Sequence, residues 1–224
     1  MRSVEEQSPP SGLPSTLPPI GIMALAGIGM LSVGLFFACV VLLHLFRPDV
    51  DPYTSGLSTY ALGPYGYWIN FAFIVLGLGG STLSVGLFLS LRPEARSLAG
   101  LILLDFWGMT TILAGIFAID PEGGPQTTAG AIHNLVGLNF LLIAIGAWLI
   151  SRRCGRDPHW ETISPVATAL ALVIIGAAVF LFVMMGPFQS LGFGGLAQRI
   201  YWLTVLAWLF LVSVQLFTTA VNQR

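Results

Sequence analysis

The chain has 224 residues, of which 55% are hydrophobic and only 8% are charged, and its formal net charge is −1 at pH 7. No stretch outside its apolar runs is large enough to form a separate water-soluble core. The sequence has no basic run, which excludes nucleic-acid binding, and it has no lysine, which excludes a Schiff base of the retinal type.

Six apolar runs follow one another along the chain, at about residues 20–46, 67–91, 97–119, 131–151, 164–186 and 199–221. Each run is long enough to cross a hydrocarbon core of ~30 Å at a rise of ~1.5 Å per residue. The runs are continuously apolar, whereas the strands of a membrane β-barrel alternate in hydrophobicity. The sequence therefore predicts an all-α, polytopic membrane domain over residues 20–224 with six transmembrane helices.

Residues 1–19 precede the first run and contain five prolines together with Glu5 and Glu6. Because low hydrophobicity and a high proline content are typical of disordered segments, residues 1–19 are predicted to form a disordered cytoplasmic tail. The first apolar run is too long for the core of a cleaved signal peptide, so it is expected to remain as the first span.

The arginines are divided unequally between the two sides of this topology. One side carries only Arg47 and Arg199. The other side carries Arg2, Arg92, Arg96, Arg152, Arg153, Arg156 and Arg224. Since arginine-rich connections face the cytoplasm, both termini are predicted to be cytoplasmic and the loops near Arg47 and Arg199 to lie outside.

Two polar residues are predicted to lie inside the membrane. Asp105 falls well within the third span, where an ionised carboxylate is costly unless it is paired or hydrated. Gln215 in the sixth span is expected at a similar depth and is suited to donate a hydrogen bond to it. A structural role is the favoured interpretation, and small-molecule or proton-coupled transport using Asp105 is the alternative.

The longest connection, residues 44–65, joins the first two spans on the predicted outer side. Its prolines and glycines favour fixed turns, and its aspartates can accept hydrogen bonds from neighbouring amides. Leu57 and Tyr60 give it apolar surface that can pack onto the bundle. We therefore expect an ordered lid with a short helical turn after Ser58.

Polar side chains of the lid and of the predicted outer helix ends form a candidate binding site. Arg47, Asp120, His133 and Arg199 are expected to converge beneath the lid, because unpaired charges at the membrane interface would be poorly solvated. The full candidate set is Arg47, Asp49, Asp51, Ser58, Tyr60, Asp120, His133, Gln198 and Arg199.

Three different roles are consistent with these candidate residues. One is a structural network in which Arg47 pairs with an aspartate and His133 with a carboxylate. The second is binding of an anionic lipid headgroup by the two arginines. The third is a metal- or haem-dependent enzyme using His44 and His133, but no HExxH or comparable ligand spacing supports it, so no metal or cofactor is assigned.

Five motifs carry a resemblance to a known family: Arg47-Pro-Asp-Val-Asp-Pro-Tyr53, Leu57-Ser-Thr-Tyr60, Gly115-Ile-Phe-Ala-Ile-Asp-Pro121, Gly130-Ala-Ile-His133 and Gly195-Leu-Ala-Gln-Arg199. Over residues 20–221 the chain resembles the domain-of-unknown-function 998 family of prokaryotic six-helix membrane proteins. That family is distantly similar to the Frag/DRAM/Sfk membrane proteins, some of which are linked to lipid organisation. The resemblance implies a multi-pass protein of a prokaryotic plasma membrane and favours a role that involves lipid. Asp105 is not matched to a position of the family pattern.

Together, these observations lead to the expectation of a non-enzymatic integral membrane protein. Its outer polar pocket is expected to bind an anionic lipid or headgroup, with membrane lipids as its partners. The sequence identifies no protein partner.

Overall fold

The computed structural model describes residues 17–223. Most of the predicted tail, residues 1–16, lies outside this range, as does Arg224. Seven α-helices and no strand occur in the described part of the chain: α1 (Pro19–Phe46), α2 (Gly66–Ser90), α3 (Leu98–Ile116), α4 (Thr128–Val136), α5 (Phe140–Cys154), α6 (Ser164–Met185) and α7 (Gly194–Asn222).

Six helical units are long and apolar enough to cross a membrane, which confirms the predicted number of spans. Helices α4 and α5 together make the fourth span, Thr128–Cys154, and a 3-10 turn over Gly137–Asn139 joins them. At that turn the Asn139 amide donates a hydrogen bond of 3.0 Å to the Thr111 hydroxyl on α3. This side-chain partner keeps the buried amide satisfied where the helix changes its pitch.

The six spans are arranged as a closed ring. Each span packs against the next one along the chain, and α7 returns to pack against α1. Helices α2 and α3 approach closely, because a side chain on Gly77 or Gly108 would collide with the backbone of the other helix. Small residues at such crossings allow helices to pack tightly in lipid, where the hydrophobic effect does not drive helix association.

Aromatic side chains fill the middle of the ring. The Trp202 ring lies 5.1 Å from that of Phe36, 5.6 Å from that of Phe73 and 6.3 Å from that of Trp107, measured between centroids. These four residues come from α7, α1, α2 and α3, so one cluster ties four spans together. Such tilted ring pairs stabilise the bundle beyond the effect of the surface area that the rings bury.

Candidate functional site

The loop of residues 47–65 forms the lid at one end of the bundle, and this end is called the lid face. A 3-10 helix over Leu57–Ala61 confirms the predicted helical turn near Ser58. Leu57 and Tyr60 are 1% and 0% exposed, so they anchor the lid in the core as the sequence suggested. The lid is therefore a packed element whose polar side chains have fixed positions.

Arg47 holds one end of the lid. Its guanidinium makes a paired contact with the Asp49 carboxylate at 2.8 and 2.7 Å, and its third nitrogen donates to the carbonyls of Leu62 and Pro64. This confirms the predicted pairing of Arg47 with an aspartate. Hydrogen bonding to the guanidinium lowers the pKa of Asp49 below its usual range.

Two other carboxylates of the candidate set stabilise their own loops. Asp51 accepts hydrogen bonds of 3.0 Å from the Tyr53 amide and from the Thr54 hydroxyl. Asp120 accepts from the amide and the hydroxyl of Thr127 at 2.8 and 2.7 Å, just before α4 begins. The Thr127 amide and hydroxyl lower the pKa of Asp120. Both aspartates act as local turn and cap residues.

His133 joins the lid to α3. Its Nδ1 lies 2.7 Å from the Phe117 carbonyl oxygen and 3.1 Å from that of Ala114, while its Nε2 lies 2.8 Å from the Ser58 hydroxyl oxygen. The expected pairing of His133 with a carboxylate is therefore wrong. Carbonyls at the end of α3 take that place because α4 enters the bundle directly beside them.

Arg199 holds the other end of the lid. Its Nε donates to His44 Nε2 at 2.8 Å, and its Nη1 donates to the carbonyls of Ser55 and Gly195 at 2.7 and 3.0 Å. Within residues 17–223 the buried Nη2 of Arg199 has no hydrogen-bond partner, and no carboxylate forms an ion pair with this arginine. Next to it, the Gln198 side-chain carbonyl accepts from the Leu57 amide at 2.6 Å.

The four residues expected to converge are thus distributed around the lid. In the described part of the chain, Arg47, Asp120, His133 and Arg199 share no hydrogen bond or ion pair with one another. The lid connects two of them, since His133 bonds Ser58 and Arg199 bonds the Ser55 carbonyl. Residues 17–223 also contain no group of three or more His, Cys, Asp or Glu side chains placed to hold a metal ion.

Three spaces adjoin the lid. A pocket of about 50 Å³ lies beneath it, lined by Ser58, Thr111, His133, Asn139, Gln198 and Tyr201 among others. A groove of about 290 Å³ runs between α1 and α7 below His44 and Arg199. A wider vestibule of about 620 Å³ lies between the lid and the loop around Asp120.

The sequence was compared with models of known protein families. The model of a family described as "Protein of unknown function (DUF998)" matches residues 30–215. The chain belongs to this family. No curated protein and no solved structure matches it. Because the family description names no activity, a function for this DUF998 protein has to be argued from its own side chains.

The polar pair predicted inside the membrane of this DUF998 protein does not form. Gln215 donates to the His159 carbonyl and to the Thr219 hydroxyl, so the expected hydrogen bond with Asp105 is wrong. Asp105 is half-buried on α3 and has no hydrogen bond or ion pair among the described residues. Depth along two helices does not determine the direction in which each side chain points, and here the directions differ.

Sequence analysis missed a buried carboxylate at the opposite end of the bundle. Asp157 is 3% exposed and accepts from the backbone amides of Arg92 and His159 at 3.2 and 3.0 Å. It therefore ties the α2–α3 loop to the α5–α6 loop. The available signal was the Asp157-Pro158 pair, since an aspartate before a proline favours the start of a turn.

Proposed function

We propose that this DUF998 protein binds an anionic membrane lipid on its lid face, with an acyl chain in the groove between α1 and α7 and the headgroup at Arg199. The observation that carries the proposal is an arginine without a carboxylate partner placed at the mouth of an apolar groove. The membrane is proposed to be a prokaryotic plasma membrane, with the lid on its outer side.

The groove suits an acyl chain because its lining is apolar apart from His44 and Arg199. Phe37 and Leu45 on α1 face Leu203 across the groove, and these three side chains are 49%, 70% and 54% exposed. Such exposure on a membrane-spanning helix leaves the groove open toward lipid. A chain can therefore enter from the side of the bundle without passing through the lid.

The charge at the groove mouth suits a phosphate group. Arg47 is neutralised by Asp49, whereas Arg199 is held only by carbonyl oxygens and by His44. A partly buried guanidinium without an anion is costly, and a phosphate oxygen offsets that cost through charge-assisted hydrogen bonds. A guanidinium also matches phosphate geometry better than an ammonium does. Arg199 is therefore the residue proposed to select an anionic headgroup.

The test compares two lipids with the same acyl chains and with headgroups of different net charge. Detergent-extracted protein is incubated with phosphatidylglycerol or phosphatidylcholine carrying identical chains, and retained lipid is counted by native mass spectrometry. Phosphatidylglycerol should bind more tightly. Arg199→Gln should weaken that preference by about tenfold or more, since hydrogen bonds to charged groups contribute about 1.5–3 kcal/mol.

Arg47→Gln is the matched control, because Arg47 lies at the same face but already has a carboxylate partner. This variant should keep the preference for phosphatidylglycerol. Equal binding of the two lipids by the unaltered protein, or equal loss of preference in both variants, would contradict the proposal. Leu203→Trp should reduce the binding of both lipids, because the larger side chain narrows the groove that holds the acyl chain.

A further inference from the structure

A serine and a histidine from distant parts of the chain meet beneath the lid in an arrangement that suits covalent chemistry. We infer that Ser58 is a nucleophile and His133 its general base, and that the pair cleaves a short acyl ester at the lid face. This inference does not depend on lipid binding at Arg199, and it departs from the expectation of a non-enzymatic protein.

The hydrogen bonds of His133 define where its proton lies. Nδ1 faces the carbonyl oxygens of Phe117 and Ala114 at 2.7 and 3.1 Å, and because carbonyls only accept, Nδ1 must carry the proton. Nε2 then has a free lone pair, and the Ser58 hydroxyl, 2.8 Å away, donates to it. A nucleophile bonded to a base that a third group orients is the arrangement of nucleophilic catalysis.

His44 shows that this arrangement is not a general property of histidines on the lid face. Its Nδ1 is likewise fixed by a backbone carbonyl, that of Val40 at 2.7 Å. Its Nε2, however, accepts from Arg199 at 2.8 Å, so no lone pair remains to activate a hydroxyl. Of the two histidines near the lid, only His133 is both oriented and bonded to a serine.

The pocket beneath the lid gives the pair a place to hold a reacting group. Ser58 and His133 line it together with Tyr201, which is 2% exposed. Among the described residues the Tyr201 hydroxyl has no hydrogen-bond acceptor, and the neighbouring Trp107 indole can only donate to it, so the Tyr201 proton is available to an oxyanion as charge develops there. A volume of about 50 Å³ suits a short acyl group.

The reaction balances with an ester and water as the only reactants. Ser58 Oγ forms a bond to the acyl carbon while His133 Nε2 takes the hydroxyl proton. The bond from the acyl carbon to the alcohol oxygen then breaks, and Nε2 returns the proton to the departing alcohol. Water, deprotonated by Nε2, attacks the acyl-serine, which releases a carboxylic acid and restores the Ser58 hydroxyl.

The test is covalent labelling with a fluorophosphonate that carries a short alkyl chain. Serine oxygen displaces fluoride from phosphorus, and the intact mass and peptide maps of the full-length protein in detergent locate the adduct. The label should appear on Ser58 and be lost in Ser58→Ala. Ser190→Ala is the matched control, since Ser190 is exposed on the same face and makes no bond to a histidine within the described chain. In this variant Ser58 should be labelled at the rate of the unaltered protein.

Two further variants separate catalysis from a merely structural hydrogen bond. His133→Gln should slow labelling by about a hundredfold or more, as loss of a general base does. Tyr201→Phe removes a hydroxyl that donates no hydrogen bond to the described residues, so folding should be retained while labelling slows by about tenfold or more. If His133→Gln fails to fold, Tyr201→Phe still tests whether the labelling of Ser58 is catalysed.

The inference is overturned if folded, unaltered protein acquires no label on Ser58. It is also overturned if folded His133→Gln, or Tyr201→Phe, labels at the rate of the unaltered protein. Neither result would affect lipid binding at Arg199, which is measured without any covalent step.

Discussion

The two ends of the bundle hold their loops with different polar side chains. At the lid face, a long loop is fixed by side chains from other elements, among them Arg199 on α7 and His133 on α4. At the opposite face, the short loops over residues 91–97 and 155–163 are fixed by Asp157, whose carboxylate accepts two backbone amides. The lid is thus held by arginine and histidine side chains, whereas the opposite loops are held by a buried carboxylate together with Arg153 and Gln215, which donate to the Glu94 and His159 carbonyls.

The ends also differ in which polar atoms have a protein partner. Among residues 17–223, the buried side-chain atoms without a hydrogen bond include Tyr60 Oη, Tyr201 Oη and Arg199 Nη2 near the lid. None of them lies in residues 91–97 or 155–163. Because an unpartnered buried polar group lowers stability, natural proteins keep such groups mainly at functional sites. The comparison therefore supports the proposals of ligand chemistry at the lid face, and we expect structural support to be the role of Asp157 at the opposite face.

The prediction with the largest consequence concerns the orientation of the whole molecule in the membrane. The seven-to-two division of the arginines predicts that the lid lies outside and that the carboxyl terminus is cytoplasmic. A reporter fused after Arg224 should be active only if it is a cytoplasmic reporter, and a glycosylation or cysteine-labelling site placed at Tyr53, exposed on the lid, should react from outside. The reverse pattern would move the lipid and ester sites to the cytoplasmic side.

The next effect concerns the stability of the opposite face. Asp157→Ala should lower the free energy of unfolding by about 2–4 kcal/mol, since it leaves the Arg92 and His159 amides without their acceptor. Unfolding by SDS titration measures the change. Glu161→Ala, an exposed acid on the same loop, should change stability by less than about 0.5 kcal/mol.

Lipid preference should persist in folded Asp157→Ala, because Arg199 lies at the other end of α7. A variant that kept its stability but lost the preference would contradict the separation of the two faces.

The spans were predictable because continuous apolar runs of sufficient length leave few alternatives in a membrane. The ends of the spans were less predictable. Helix α7 begins at Gly194, five positions before the predicted boundary at residue 199, because the lid covers its first turn. The Leu196 amide donates to the Tyr53 carbonyl there, and a side chain on Gly195 would collide with Ser55.

The site was only partly predictable. Ser58, His133 and Arg199 were recognised as candidates because polar residues near the ends of apolar runs stand out. The partners of these residues were not recognised. His133, for example, is oriented by the backbone carbonyls of Ala114 and Phe117, and because every residue type carries a carbonyl, the sequence does not mark such partners. Contacts of this kind depend on how α3 and α4 meet, which is a property of the fold and has no local signature.

The smallest effect should appear in the response of the lid face to acid. The Arg47 guanidinium lowers the pKa of Asp49, and the Thr127 amide and hydroxyl lower that of Asp120. A carboxyl whose folded pKa is depressed contributes stability above its unfolded pKa of about 4, and that contribution is lost as pH falls through the folded value. The unfolding temperature in detergent should therefore fall between about pH 5 and pH 3.

Variants assign this fall to particular carboxylates. Asp49→Asn combined with Asp120→Asn should reduce the fall in unfolding temperature, because neither position then titrates. Arg47→Gln provides the matched comparison: it removes the partner that depresses the pKa of Asp49 and leaves the contacts of Asp120 with Thr127 intact. It should therefore abolish only the part of the acid response that Asp49→Asn abolishes alone. An acid response that is the same in the double variant and the unaltered protein would show that these two carboxylates do not couple lid stability to pH.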